Sequence, residues 1–111
     1  MPNYTISLKE AQDMTAKFRS ERNSILDPEY RDRDILPICE TFDRGPFDQL
    51  LGLANCASIR IYFGMNVDSQ VRAIIVAVDS NGDDILPDGT NDALIVEEGR
   101  PCPTFCPLNL L

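Results

Sequence analysis

ASIRIYFGMNVDSQVRAIIVAVD, residues 57–79, is the stretch that decides the fold of this chain. From Ser58 to Met65 the residue types alternate, with Ile59, Ile61, Phe63 and Met65 on one face and Ser58, Arg60, Tyr62 and Gly64 on the other. A period of two is that of a half-buried strand. The run 73–78 is apolar at every position, which predicts a central strand with both faces dry. Asn66-Val67-Asp68-Ser69 between the two runs is short and polar, so an antiparallel hairpin is the expected pairing.

Upstream of the hairpin, Ser7-Leu8-Lys9-Glu10 has the S-x-x-E form of a capping box, with Ile6 and Ala11 at the positions of a hydrophobic staple. Ala11, Met14, Phe18 and Ile25 recur at helical spacing, so a first helix is expected to reach Ile25 with one face against the sheet. Asp27-Pro28 ends it, because the residue before proline is pushed out of the α region. The apolar run 35–42 contains Pro37, which lacks a ladder donor, and reads as an edge strand or extended segment. Asp43-Arg44-Gly45-Pro46 then offers start signals for a second helix, with Asp43 capping or Pro46 in the first turn. Its apolar stripe is Phe47, Leu50, Leu51 and Ala54, and Asn55 is its expected stop.

Downstream, Asn81-Gly82 is the preferred pair of a type I′ turn, which needs two positive φ angles. A short third strand at 84–86, a loop at 87–92 and a last apolar strand at 93–96 follow. The tail, 97–111, carries prolines and cysteines without periodicity. The order predicts one α+β domain over 1–111, two helices packed on a small antiparallel sheet centred on the hairpin 58–79, with an irregular tail. Alternating β-α-β order, and with it a doubly wound nucleotide fold, is absent.

The 111 residues carry 18 acidic against 10 basic side chains, a formal charge of −8. Such a surface repels phosphate backbones and anionic lipid, so neither nucleic acid nor membrane is an expected partner. The densest basic stretch, Lys17, Arg19, Arg22, Arg31 and Arg33, is interleaved with Glu21, Glu29, Asp32 and Asp34 and reads as a mixed-charge solvated face. The apolar run 73–78 is far short of the roughly 20 residues that span a bilayer. MPNYTISLKE has neither the basic start nor the apolar core of an export signal, so a cytoplasmic location is expected.

Cys102-Pro103-Thr104-Phe105-Cys106-Pro107 is a C-x3-C pair, with Cys39 and Cys56 upstream. Unmodified thiols are the first expectation, since stable disulfides are uncommon in a reducing compartment and buried cysteine behaves as a small hydrophobe. The alternatives are a structural zinc on Cys39, Cys56, Cys102 and Cys106, or a redox pair of Cys102 and Cys106. The acidic run from Asp79 to Asp84 lacks the glycine and terminal glutamate of a calcium loop. Asp88 with Glu98-Gly99-Arg100 echoes a metal-dependent nuclease, but arginine stands where such a site needs a proton carrier. The chain has no histidine, which removes Ser-His and Cys-His dyads. No glycine-rich phosphate loop is present, and no cofactor is called for. Arg60 and Tyr62 share the polar face of the first hairpin strand and are the candidate binding residues.

Tyr4-Thr5-Ile6-Ser7-Leu8, Ile38-Cys39-Glu40-Thr41-Phe42, Arg60-Ile61-Tyr62-Phe63-Gly64-Met65 and the tail bracketed by Cys-Pro resemble a group of small uncharacterised bacterial proteins. The resemblance spans nearly the whole chain and implies no activity. The expected function is therefore a small binding protein that takes a protein partner or a second copy of itself, through a sheet edge or through Arg60 and Tyr62. A zinc or thiol-redox protein built on the cysteines is the alternative.

Overall fold

The computed structural model describes residues 4–111, so the first three residues of the segment read for an export signal lie outside it. Its elements are α1 (Leu8–Glu21), a 3-10 turn (Pro28–Tyr30), β1 (Cys39–Thr41), α2 (Arg44–Leu51), β2 (Ser58–Met65), β3 (Val71–Val78), β4 (Asp84–Ile85) and β5 (Arg100–Cys102). The fold is α+β with antiparallel pairing throughout. One sheet has the order β2-β3-β4, and a second, two-stranded one pairs β1 with β5. Among the described residues no helix is long and apolar enough to cross a membrane.

The hairpin forms with the expected antiparallel pairing, and its register sets Ser58 opposite Val78 through to Met65 opposite Val71. Its loop is closed by Asn66, whose Oδ1 accepts from the amides of Asp68 (3.0 Å) and Gln70 (2.9 Å). β3 is central, as its unbroken apolar run requires, and Ile75 to Val78 are all buried. Its second edge is completed by four different segments. Ala77 and Val78 pair with β4. Ile75 exchanges both bonds with Val96 at 2.9 Å, Ala73 N donates to Glu40 Oε1 (2.8 Å), and Val71 N donates to the Ile35 carbonyl (2.7 Å). The strand expected at 93–96 is thus a single bridge at Val96.

The core lies on one face of this sheet, where Leu50 of α2 meets Ile75, Ala77 and Val96, flanked by Phe42, Phe47 and Ile59. Phe42 and Phe47 meet edge to face at 5.8 Å. α2 stops at Leu51, capped by Gly52, whose amide reaches the Asp48 carbonyl (2.9 Å), four residues before the expected stop at Asn55. Asp43 holds the N-cap position, but its side chain makes no capping bond and instead accepts from Arg100 Nη2 (3.0 Å).

α1 has the predicted capping box, Glu10 N to Ser7 Oγ (3.0 Å) and Ser7 N to Glu10 Oε1 (3.3 Å). It ends at Glu21 rather than Ile25, and none of its residues is buried. The following turn is held by arginines instead of by helix continuation. Arg31 donates to the carbonyls of Asn23, Ser24 and Leu26 at 3.0–3.3 Å, and Arg22 donates to the Leu36 carbonyl and to Asp34 Oδ1 (3.3 Å). Part of the basic stretch is therefore engaged with backbone carbonyls of the irregular segment that follows α1, which supplies them with donors.

Two further expectations change. At Asn81-Gly82 only Gly82 has positive φ (85°), because Asp79 Oδ1 accepts from the amides of Asn81 (2.9 Å) and Asp83 (3.0 Å) and builds an Asx-type turn in place of type I′. The tail contains β5, a strand with proline at its centre, whose partner β1 is the short surviving part of the run 35–42.

Candidate functional site

Arg60 and Tyr62 sit on β2, and β4 lies beyond β3, yet both side chains end on the same carboxylate of β4. Arg60 Nη1 donates to Asp84 Oδ1, Arg60 Nη2 to the Gly82 carbonyl (3.1 Å), and the Tyr62 hydroxyl to Asp84 Oδ2. To reach β4 they must pass over β3, so Val76, opposite Arg60, lies beneath them and is buried. The polar face of the sheet is therefore closed by a charge-assisted strap rather than by a helix. The sequence places Arg60 and Tyr62 on one face of β2 and gives no sign of Asp84, whose role as their partner depends on strand order.

The strap shifts both acids in opposite directions. The hydrogen bond from Tyr62, and then Arg60, holds the Asp84 carboxyl below its ordinary range. The same bond to Asp84, helped by partial desolvation, raises the Tyr62 phenol. A depressed aspartate stabilises the fold above its unfolded pKa of about 3.9, and this is lost as pH falls through the folded value. A raised tyrosine stabilises below its unfolded pKa of about 10 and loses this as pH rises through the folded value. The strap should thus be intact between about pH 4 and 10. In an NMR titration of the tyrosine rings, Tyr62 is expected to ionise above its ordinary value in the wild type and to move down in Asp84→Asn. Identical Tyr62 midpoints in the two proteins would show that the bond does not form in solution.

The other face of β2 behaves contrary to its pattern. Ile59 joins the core, but Ile61, Phe63 and Met65 are 54%, 80% and 65% exposed, because α2 is too short to cover them. The Asn66 amide bonds the Gln70 carbonyl (3.0 Å); stepping by two along the ladder, the amides and carbonyls of Ile59, Ile61, Phe63 and Met65 point to the outer edge. No strand among the described residues pairs with that edge.

The cysteines divide. Cys102 and Cys106 form a disulfide, and Cys39 and Cys56 are free, so the expectation of four thiols is corrected. Cys39 is the cross-strand partner of Cys102, whereas Cys56 packs beside the core and donates to the Ser58 carbonyl (3.4 Å). Among the described residues no group of three or more His, Cys, Asp or Glu is arranged to hold a metal ion.

No family model, curated protein or solved structure matches this chain. Its site must be read from its own geometry. Asp88, the candidate nuclease acid, is held by the Thr90 amide (2.8 Å) and hydroxyl (2.7 Å), and Arg100 pairs with Asp43, so these residues are engaged in separate local contacts. The Asp79 carboxylate closes its own turn, and Asp84 belongs to the strap.

Proposed function

We propose that this chain acts by association and that the outer edge of β2 is its contact with a second copy of itself. The observation that carries this reading is an eight-residue edge strand without proline or acidic residues whose uncovered face presents Ile61, Phe63 and Met65. An unpaired, apolar edge is a template for another strand, and natural monomers blunt such edges with charge, proline or bulges. Here none of those devices is present between Ser58 and Met65, apart from Arg60, whose charge is already neutralised by Asp84.

A second copy fits better than an arbitrary partner for two reasons. An antiparallel pairing of β2 with itself about a two-fold axis is self-complementary by construction. It also places no acid against acid, although the chain as a whole carries −8. The molecule's radius of gyration is 16.3 Å, against about 13 Å for a compact domain near this size, so much apolar surface that a compact fold would cover is left outside. Arg60 and Tyr62 support this reading as braces that keep β2 flat against β3, not as the contact itself.

Light scattering on the eluting protein tests it. The wild type is expected at twice the 12.4 kDa chain mass, and Phe63→Lys at the mass of one chain, because an edge lysine blocks pairing. A wild type that stays at one chain mass at every concentration tested overturns the proposal.

A further inference from the structure

The geometry points to a three-cysteine thiol–disulfide exchange site at the β1–β5 ladder, in which Cys39 can take over the bond that Cys102 makes with Cys106. This site is separate from the β2 edge and does not rest on it.

Cys102 has two candidate partners at once. Cys106 lies four residues on, Cα to Cα 4.8 Å, and is bonded to it. Cys39 faces it directly across the antiparallel ladder. Such partners have Cα atoms about 4.5–5.5 Å apart and side chains on the same face, within the roughly 4.4–6.8 Å that a disulfide spans. The Ile38 amide bonds the Cys102 carbonyl (2.8 Å), which holds this end of the ladder in place. The ladder register thus places the Cys39 and Cys102 backbones at a separation that a disulfide spans.

Burial decides which sulfur is attacked, and by what. Cys102 is 1% exposed, Cys39 is half-buried and Cys106 is exposed. An outside thiol therefore meets Cys106, while Cys102 is open to attack from inside, by Cys39. The step is an isomerisation. The Cys39 thiolate attacks Cys102 Sγ, the Cys39–Cys102 bond forms, the Cys102–Cys106 bond breaks, and Cys106 leaves as a thiolate that takes up the proton Cys39 gave up. One disulfide and one thiol stand on each side, so no oxidant or reductant enters. Departure into water favours Cys106 as the leaving group, since a solvated thiolate is more stable than a buried one.

The exchange changes what the tail is tied to. In the observed form the ring at Cys102–Cys106 encloses Phe105, whose amide donates to the Pro101 carbonyl (2.8 Å) and whose ring lies 4.6 Å from the Arg100 guanidinium. In the exchanged form β1 and β5 are stapled together and an exposed thiol appears at Cys106. The site thus presents a reactive sulfur to a thiol-specific electrophile or to another disulfide without any change in oxidation state.

Trypsin separates the participants, because Cys39 falls in peptide 34–44, Cys56 in 45–60, and Cys102 with Cys106 in 73–111. Folded, unreduced wild-type protein is incubated with N-ethylmaleimide in mildly alkaline buffer, then digested and mapped without reduction. The expected product is 34–44 linked to 73–111 with the maleimide on Cys106. Cys39→Ser is expected to lose alkylation at Cys106, and Cys56→Ser to keep it. If the linked peptide never forms in the wild type, or if Cys106 is still alkylated without Cys39, the proposal is wrong. Should Cys39→Ser not fold, the wild-type map alone decides.

Discussion

Leu50→Ala is expected to lower the stability of this protein by about 3–4 kcal/mol, because it combines lost burial with an unfilled cavity. Leu50 is fully buried and is the one α2 residue in the buried cluster with Ile75, Ala77 and Val96 among the described residues, with Phe47 packed against it. Few side chains are so placed: among the described residues the buried apolar ones are Ile35, Leu50, the run from Ile75 to Val78, Val96 and Cys102. A domain of this length has a total stability of about 5–15 kcal/mol, so the substitution removes a large share of it. The Tm should fall by at least about 10 °C, and the urea midpoint should drop with little change in slope. Leu51→Ala, one residue along the same helix but more than half exposed, should shift the midpoint by no more than about 0.5 kcal/mol. Equal effects at the two positions would show that α2 is not seated as described.

The second large effect is expected at Glu40, a carboxylate that takes the place of a strand. Its Oε1 accepts from Ala73 N at 2.8 Å, on the edge of β3 between the Val96 bridge and the Ile35 carbonyl. Its Oε2 is buried without a hydrogen-bond partner among the described residues, beside Gly99, where a Cβ would come within 2.6 Å of it. Glu40→Ala leaves the Ala73 amide without its acceptor and should cost about 1–3 kcal/mol. Glu40→Gln keeps an acceptor oxygen at the same place and should stay within about 1 kcal/mol of the wild type. Hydrogen exchange gives a local check: the Ala73 amide should lose protection in the alanine variant and retain it with glutamine. Unchanged Ala73 exchange in Glu40→Ala would mean that water or another group satisfies the amide.

These two sites differ in how readable they were. Leu50 announced itself through helical spacing with Phe47 and a nearby start signal. Glu40 did not, because a glutamate in a short apolar run reads as a solvated side chain, and nothing in its neighbours marks a strand edge some thirty residues away as its partner. The same limit applied to Asp84. Its local context is an acidic turn, and its role as common acceptor for Arg60 and Tyr62 exists only once β4 is placed beyond β3.

The β2 face shows a different kind of limit. Alternation correctly placed Ile59, Ile61, Phe63 and Met65 on one side, since the pleat fixes which residues share a face. It could not say how far a covering helix extends. α2 has eight residues, a length of about 12 Å at 1.5 Å per residue, whereas an eight-residue strand runs about 27 Å at 3.4 Å per residue. One end of the apolar face is therefore left bare.

By itself the sequence determined what local chemistry controls: the antiparallel hairpin, the capping box of α1, the start of α2, and the α+β class. Tertiary structure alone decided the pairing of β1 with the proline-containing β5, the four-segment edge of β3, the strap over Val76 and the meeting of Cys39 with Cys102 and Cys106. The physical reason is common to all of these. Periodicity reports the environment of one segment, while a ladder partner, a shared carboxylate or a cross-strand cysteine depends on a second segment far along the chain that packing alone brings near.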